Sequence, residues 1–165
     1  MSAYTRFSQF YAAHSRTLWR YLVRIGAEQS LAEDLAQDAF VRWSLSRAAD
    51  WDDERARAYL FTIATRLLVD WWRRHRRDVS WDDVAEEPQA VEMEAGSLFS
   101  SRAWAALSAR QQQLLWLAYV EEFTHDEIAA IAGIASGSVR VLLSRARAVL
   151  SLQIDPTIDE VADAR

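Results

Sequence analysis

The sequence predicts an all-α protein of two small helical domains joined by an acidic linker. Apolar residues recur at helical spacing on both sides of the linker, and no segment shows the period-two alternation of a half-buried strand. Only four Gly and two Pro occur among 165 residues, of which 51% are hydrophobic. This composition argues against disorder and against a turn-rich β-sandwich.

The first domain, residues 1–77, is predicted to contain three helices. The first helix carries Leu18, Leu22 and Ile25 on one face and should end at Gly26, since glycine readily adopts the left-handed conformation that follows a helix. We expect Ser30 to cap the second helix, with Glu33 as its capping-box partner. The apolar stripe of that helix repeats every four residues: Leu31, Leu35, Ala39 and Trp43.

The third helix should run from about Asp53 to about Arg74. Its apolar residues follow the spacing of an amphipathic helix with one buried face. They are Leu60, Ile63, Ala64, Leu67 and Trp71. The opposite face alternates guanidinium groups with an aromatic ring, a pattern suited to phosphate contact and base stacking. It carries Arg55, Tyr59, Thr62, Arg66 and Arg73.

Charge is distributed unevenly along the chain. The net charge is −5, every one of the 19 basic residues is Arg, and Lys is absent. Residues 78–101 contain seven acidic and no basic residues, whereas residues 1–77 have a net charge of +4. Residues 78–101 are therefore predicted to be a linker. Residues 153–165 are predicted to be an acidic tail. The negative net charge of the chain masks a basic first domain, so it does not exclude a nucleic-acid partner.

The second domain, residues 102–152, is predicted to end in a helix-turn-helix. Two helices, Ala103–Leu107 and Gln111–Val120, should precede it. Thr124 caps a short helix with Glu127 as partner, Gly133 makes the turn, and Ser136 opens the last helix. In such a unit the second helix enters the major groove. Its outward-facing donors are Ser136, Ser138, Arg140, Ser144, Arg145 and Arg147.

Catalytic and membrane functions are disfavoured. The chain has no Cys, and its three His residues show no paired metal-ligand spacing, so we expect neither an active site nor a bound metal or cofactor. The pair His125–Asp126 leaves a metal-dependent phosphohydrolase as a distant alternative. No apolar stretch approaches the ~18 residues of a membrane span, and the N-terminus lacks a signal-peptide core. We therefore expect a cytoplasmic protein without membrane insertion.

Four segments in order resemble the extracytoplasmic-function (ECF) sigma factors of bacterial RNA polymerase. They are AEDLAQDAFVRW (32–43), ARAYLFTIATRLLVDWWRRHRR (56–77), LSARQQQLLWLAYVEEFTHDEIA (107–129) and GIASGSVRVLLSRARAVL (133–150). The resemblance implies a non-enzymatic factor that binds the polymerase core and promoter DNA and is held inactive by an anti-sigma factor.

The resemblance also implies a role for each face. The acidic face of the second helix would dock on the β′ clamp helices through Glu33, Asp34, Gln37, Asp38 and Phe40. Residues near 114–119 would approach the β flap, and the linker would thread towards the RNA exit path. The loop 49–57 and the third helix would open the −10 element and capture an unstacked base. Those residues are Trp51, Arg55, Arg57, Tyr59, Thr62, Arg66, Arg73, Arg74, Arg76 and Arg77.

The last helix would read the −35 element, with Val141 joining the six donors named above. Two features depart from the family pattern. Arg66 stands where Asn is frequent, and Val141 and Leu142 replace Ser and a basic residue. Because the second domain carries only five Arg, we expect residues 97–165 alone to bind DNA poorly. The alternative is a stand-alone helix-turn-helix regulator, which would footprint a palindromic operator as a dimer without polymerase.

Overall fold

The computed structural model describes residues 2–75 and 102–154, and these two ranges contain helices and no strand. The first domain comprises α1 (Ala3–Arg24), α2 (Gln29–Ser44) and α3 (Asp53–His75), with a 3₁₀ turn at Arg47–Asp50. The second comprises α4 (Arg102–Ala105), α5 (Ala109–Leu115), a π-helical turn (Trp116–Val120), α6 (His125–Ala132) and α7 (Ser136–Ile154). The all-α prediction is confirmed; the predicted linker and residues 155–165 lie outside the described residues.

The turn after α1 forms as predicted, with Gly26 at φ +113°. The amide of Ala27 donates to the Leu22 carbonyl at 2.9 Å, which satisfies one of the carbonyls left open at the helix end. A Cβ atom at position 26 would lie only 3.3 Å from Cζ2 of Trp72. Glycine therefore serves both the backbone conformation and the close approach of α3.

The predicted start of α2 at Ser30 is wrong. The helix begins at Gln29, and Glu28 occupies the N-cap position without a side-chain capping bond. The tight turn through Gly26 and Ala27 returns the chain to helical geometry early. Ser30 consequently lies inside the first helical turn and is exposed.

The three helices of the first domain enclose a core of aliphatic and aromatic side chains. Leu22, Leu60 and Leu68 are fully buried. The rings of Phe10 and Trp43 stack with centroids 4.0 Å apart and planes 8° from parallel. Full burial of each large apolar side chain stabilises the fold by roughly 1.5–3 kcal/mol relative to exposure, so this cluster fixes how α2 packs on α1.

The second domain packs α5, α6 and α7 around a smaller core. Ser108 caps α5, accepting from the Gln111 amide while the Gln111 side chain accepts from the Ser108 amide. Val139 is fully buried between α6 and α7, and Ala129 is 6% exposed. The small side chain of Ala129 lets α7 approach α6 closely, and Val139 fills the space between the two helices.

The two domains are in contact through α3 and α6, and the buried residues of both form one continuous cluster. The rings of Phe61 and Phe123 meet edge-to-face across this contact at 5.2 Å. Within the described ranges, no single helix is long and apolar enough to span a membrane, although α6 and α7 pass the length and composition criteria together.

Candidate nucleic-acid interface

The helix-turn-helix has the predicted local geometry. The Thr124 hydroxyl accepts from the Glu127 amide at 3.3 Å and donates to Glu127 Oε1 at 3.0 Å. Gly133 ends α6 at φ +68°. α6 and α7 meet at 91°, within the range of helix-turn-helix units. This angle leaves the outer side of α7 open along its length.

Every residue predicted to read the −35 element is exposed on α7. These residues are Ser136, Ser138, Arg140, Val141, Ser144, Arg145 and Arg147. The Arg147 guanidinium also donates to the Tyr119 hydroxyl at 2.7 Å, so the π-helical turn holds this side chain. Val141 is 50% exposed and offers a contact for an apolar group such as the thymine methyl.

The face predicted on α3 is only partly exposed. Arg55, Arg66, Arg73 and Arg74 point to solvent, and Tyr59 is half-buried. Thr62 is 7% exposed and donates to the Ala58 carbonyl at 2.9 Å. The prediction of an outward-facing Thr62 is therefore wrong, because α3 packs against α1, α2 and α6 and buries a wider sector than its apolar stripe indicates. Arg76 and Arg77 lie outside the described residues.

Trp51 precedes α3, and the guanidinium of Arg55 lies over its indole ring. The Arg55 Cζ atom lies 3.9 Å from the centroid of the Trp51 ring, a close cation–π contact. The Tyr59 ring is 5.4 Å away on the same side of the domain. Arg6 donates to the Trp51 carbonyl and so anchors this loop to α1. Arginine and two aromatic rings are thus assembled at one edge of the domain.

A cavity of about 620 Å³ opens beside this loop, between the start of α1 and the end of α2. Its lining includes Phe7, Trp43 and Ala49, together with the polar groups of Arg6 and Asp50. The indole nitrogen of Trp43 is buried and has no hydrogen-bond partner among the described residues. The cavity thus combines apolar walls with the polar groups of Arg6 and Asp50, as ligand pockets do.

The acidic face of α2 is exposed where the sequence predicts it, at Glu33, Asp34 and Gln37. Asp38 is half-buried and accepts from Arg42 Nε at 3.1 Å. Phe40, predicted to contact polymerase, is only 2% exposed and packs against the Tyr11 ring at 4.8 Å. This side chain supports α2 from the core and does not reach its surface, so its predicted direct contact is wrong.

A polar contact joins the two domains across more than sixty residues of sequence. Arg57 on α3 donates from Nη1 to Glu121 Oε2 at 2.9 Å and from Nη2 to the Glu121 carbonyl at 2.8 Å. The Glu121 side chain is only 4% exposed. Burial raises the pKa of Glu121, and the Arg57 guanidinium partly offsets that rise. The sequence carries no local signal for this pair.

A second polar contact lies deeper in the same interface. Tyr21 and Thr65 share a hydrogen bond of 2.8 Å, and Gln113 donates from Nε2 to the Tyr21 hydroxyl at 2.9 Å. Burial raises the pKa of Tyr21 to about 12, so the hydroxyl keeps its proton. Gln113 and Tyr21 are both fully buried. Sequence reasoning missed them because a buried Gln inside a polar run resembles a solvated one.

No group of three metal-ligating side chains occurs in residues 2–75 or 102–154. The exposed arginines, the aromatic edge and the open α7 together define a DNA-binding transcription factor of two helical domains. Residues 10–78 match the family model of Sigma-70 region 2, and residues 101–150 match that of Sigma-70, region 4.

Relatives and solved structures agree with this class. The chain is 30% identical over 152 residues to the ECF RNA polymerase sigma factor SigL of Mycobacterium tuberculosis, covering 87% of this chain and 86% of that protein. It is also 30% identical to the ECF RNA polymerase sigma factor RpoE of Cereibacter sphaeroides, covering 79% of this chain and 78% of that protein. The sigma factor RpoE, in its co-crystal structure with the anti-sigma factor NepR from Bartonella quintana, shares the fold. That match has a TM-score of 0.68 and 23% sequence identity, and it covers 90% of this chain and 98% of that chain.

The chain belongs to the ECF RNA polymerase sigma factors. It is an initiation factor that binds RNA polymerase and directs transcription from specific promoters. The stand-alone dimeric regulator considered above is not favoured, because the chain matches both region 2 and region 4 of the sigma factors.

Proposed function

We propose that the exposed side of α7 reads the −35 duplex. The observation that carries this assignment is that all seven predicted residues are solvent-exposed while Val139 and Leu143, on the opposite side, are buried. Arg140 lies in the second turn of α7, where side chains reach base edges, and Arg145 and Arg147 lie nearer the flanking phosphates.

Substitution tests this assignment in reconstituted transcription. Arg140→Ala should weaken −35-dependent initiation by about 1–3 kcal/mol and relax sequence preference at one position, whereas Arg145→Ala should weaken initiation uniformly. Arg102→Ala is a matched control, since Arg102 is exposed on α4 of the same domain. Unchanged −35-dependent initiation in both α7 variants would refute the assignment.

We propose that the acidic side of α2 docks on the β′ clamp helices of the polymerase. Glu33, Asp34 and Gln37 are exposed. Glu33 and Gln37 border a shallow groove of about 250 Å³ that also includes Tyr11 and Trp19. Exposed carboxylates beside aromatic rings suit a basic protein partner, since complementary charge speeds association.

Charge reversal tests the docking surface. Asp34→Lys should greatly reduce retention of the full chain on immobilised polymerase core, and adding Asp38→Lys should abolish it. Asp70→Lys makes the same charge change at an exposed position on α3 and should retain binding. Equal retention of the Asp34 and Asp70 variants would contradict the proposal.

We propose that the loop before α3 captures an unstacked base of the −10 element. The cavity beside Trp43 supports this role, because its apolar walls suit a base removed from its stack, and Trp51 offers a ring for stacking. Trp51→Ala should slow open-complex formation, and Trp51→Phe should retain most of the rate. A 2-aminopurine probe in the −10 strand would report the unstacking; equal signals from wild type and Trp51→Ala would refute the role of the ring.

We propose that the chain contacts the β flap of the polymerase and an anti-sigma factor, as its resemblance to the ECF sigma factors implies. Of residues 114–119, which are expected near the β flap, Tyr119 is exposed and Trp116 is buried. We therefore place the β flap contact at the end of the π-helical turn. An anti-sigma factor is supported by the shared fold with a sigma factor solved in such a complex. The chain acts in the cytoplasm, on polymerase and DNA, without chemistry of its own. Co-purification from the native host would test the anti-sigma partner.

A further inference from the structure

A basic cavity of about 280 Å³ lies between α3 and the end of α6. Three arginines line it: Arg66 and Arg73 from α3 and Arg110 from α5. Asp70 is the only acidic residue among the described residues of the lining, so these side chains have a net charge of +2. Like charges repel, and a concave surface concentrates their field. The cavity is therefore a place of positive potential that favours an anion.

The two arginines of α3 project from the same face of that helix. They are seven residues apart, which is close to two helical turns and roughly 10 Å along the axis. Asp70 lies between them, and its Oδ1 atom is 3.9 Å from Arg73 Nη1. Both partners of this pair are exposed, so it stabilises the fold little. Arg66 has no hydrogen bond or ion pair within residues 2–75 and 102–154, which leaves its charge for a ligand.

Arg110 is held at the opposite wall of the cavity. Its Nη1 donates to the Ala132 carbonyl at 2.6 Å and to Gln113 Oε1 at 3.2 Å. The first bond satisfies a carbonyl at the C-terminal end of α6, where the helix dipole is negative. Arg110 is also half-buried, so its guanidinium is already ordered. An ordered side chain loses little conformational entropy when it binds a ligand.

The rest of the lining limits what the cavity can hold. Val69 and Ile131 provide apolar wall, and the Thr65 hydroxyl is engaged by the Phe61 carbonyl and the Tyr21 hydroxyl. Pockets for drug-sized ligands have volumes of roughly 300–1,000 Å³, so this cavity suits a compact group. Guanidinium groups bind phosphate oxygens through paired hydrogen bonds. The charge and the volume together fit a phosphate or pyrophosphate group.

We propose that this cavity binds a small molecule that carries a phosphate or pyrophosphate group. Arg66 and Arg110 bind its oxygens from opposite walls, and Arg73 adds a third positive charge. Arg110 and the end of α6 close one side of the cavity, which favours a compact anion over the backbone of a DNA strand. Arg66 and Arg73 are also predicted to contact the −10 element, so the bound anion competes with promoter DNA. That consequence alone rests on the proposed −10 function.

Isothermal titration of the full chain with pyrophosphate, at an ionic strength of about 0.15 M, tests the site. We expect one saturable site. Arg66→Gln and Arg110→Gln should each weaken binding about tenfold or more, as loss of one charge-assisted hydrogen bond does. Arg47→Gln and Arg102→Gln remove the same charge at exposed positions outside the cavity lining and should leave Kd unchanged. Absence of saturable binding, or equal losses in all four variants, would overturn the proposal.

Asp70→Asn guards against a folding defect, because its expected effect is a gain of binding. Removing the acidic charge between Arg66 and Arg73 should tighten pyrophosphate binding several-fold. Misfolding cannot produce such a gain. Unchanged or weaker binding by this variant would contradict the proposed site.

Two glycine amides report where the anion binds. Gly133 lines the cavity, whereas Gly26 ends α1 outside its lining. In ¹H–¹⁵N spectra of the full chain, pyrophosphate should shift the Gly133 amide and leave the Gly26 amide unchanged. A single-stranded −10 oligonucleotide without terminal phosphates tests DNA as the source of the phosphate. If the oligonucleotide shifts Gly133 and pyrophosphate does not, the proposal of a small-molecule site is wrong.

Competition with promoter DNA has its own readout. Saturating pyrophosphate should weaken binding of the −10 oligonucleotide to the full chain several-fold. Pyrophosphate binding without that competition would refute the predicted −10 contacts of Arg66 and Arg73. Retention of the full chain on polymerase core, measured separately, reports failure of the proposed function.

Discussion

Gly137 offers a test of the recognition helix in which the expected change is a gain of stability. It lies in the first turn of α7, and a Cβ atom there would meet nothing within 4 Å. Gly137→Ala should therefore stabilise the protein by roughly 0.5–1 kcal/mol, because alanine loses less conformational freedom than glycine on entering a helix.

Gly133 and Gly26 have left-handed backbone conformations, so substitution by alanine should lower the stability of the protein at both positions. Gly133 has φ +68° with open space around it, so Gly133→Ala should cost about 1–2 kcal/mol from backbone strain alone. Gly26 has φ +113° and lies against the Trp72 ring. Gly26→Ala should cost more, on the order of 3 kcal/mol, because overpacking adds to strain.

Urea denaturation of the full chain, followed by circular dichroism, ranks the three variants. In thermal unfolding, each kcal/mol of change in the free energy of unfolding should shift Tm by roughly 2–4 °C for a chain of this size. If Gly137→Ala destabilises the protein as much as Gly133→Ala, the assigned start of α7 is wrong and the reasoning about the recognition helix fails with it.

Three further substitutions test local features. Glu122→Gly should stabilise the chain by about 1 kcal/mol in urea denaturation, since φ +56° suits glycine; a loss would contradict that backbone assignment. Thr124→Ala should cost roughly 0.5–2 kcal/mol through loss of the α6 cap, and an unchanged midpoint would show that the cap contributes nothing. Burial holds the pKa of His14 below 6.5, and the positive charge of Arg57 lowers it further. The unfolded chain therefore binds its proton first, and stability should fall as pH drops below 6.5. His14→Gln should flatten that part of the profile, and parallel profiles would refute the assignment.

Local chemistry made much of the fold predictable. Three helix ends depend on bonds within a few residues, and all three were located from sequence. They are the Thr124 cap with Glu127, the turn at Gly26 and the turn at Gly133. The start of α3 near Asp53 was predicted from the apolar spacing of the helix. The exposed face of α7 followed from the periodicity of its buried residues, Val139 and Leu143.

Features set by tertiary packing could not be predicted. α3 contacts helices on several sides, so Thr62 is buried although it lies off the apolar stripe. Phe40 looked like a surface residue of the acidic helix, yet α1 covers it. The pairing of Arg57 with Glu121 joins residues 64 positions apart, and no periodicity or capping pattern can reveal such a contact.

Run-off transcription with purified polymerase core distinguishes a sigma factor from a stand-alone regulator. The full chain should make the core initiate at a defined site. That initiation should be lost when Asp34→Lys and Asp38→Lys are combined, and it should lose its −35 dependence with Arg140→Ala. If the core gains no specific start site while the chain alone footprints a palindromic operator, the protein does not act as a sigma factor.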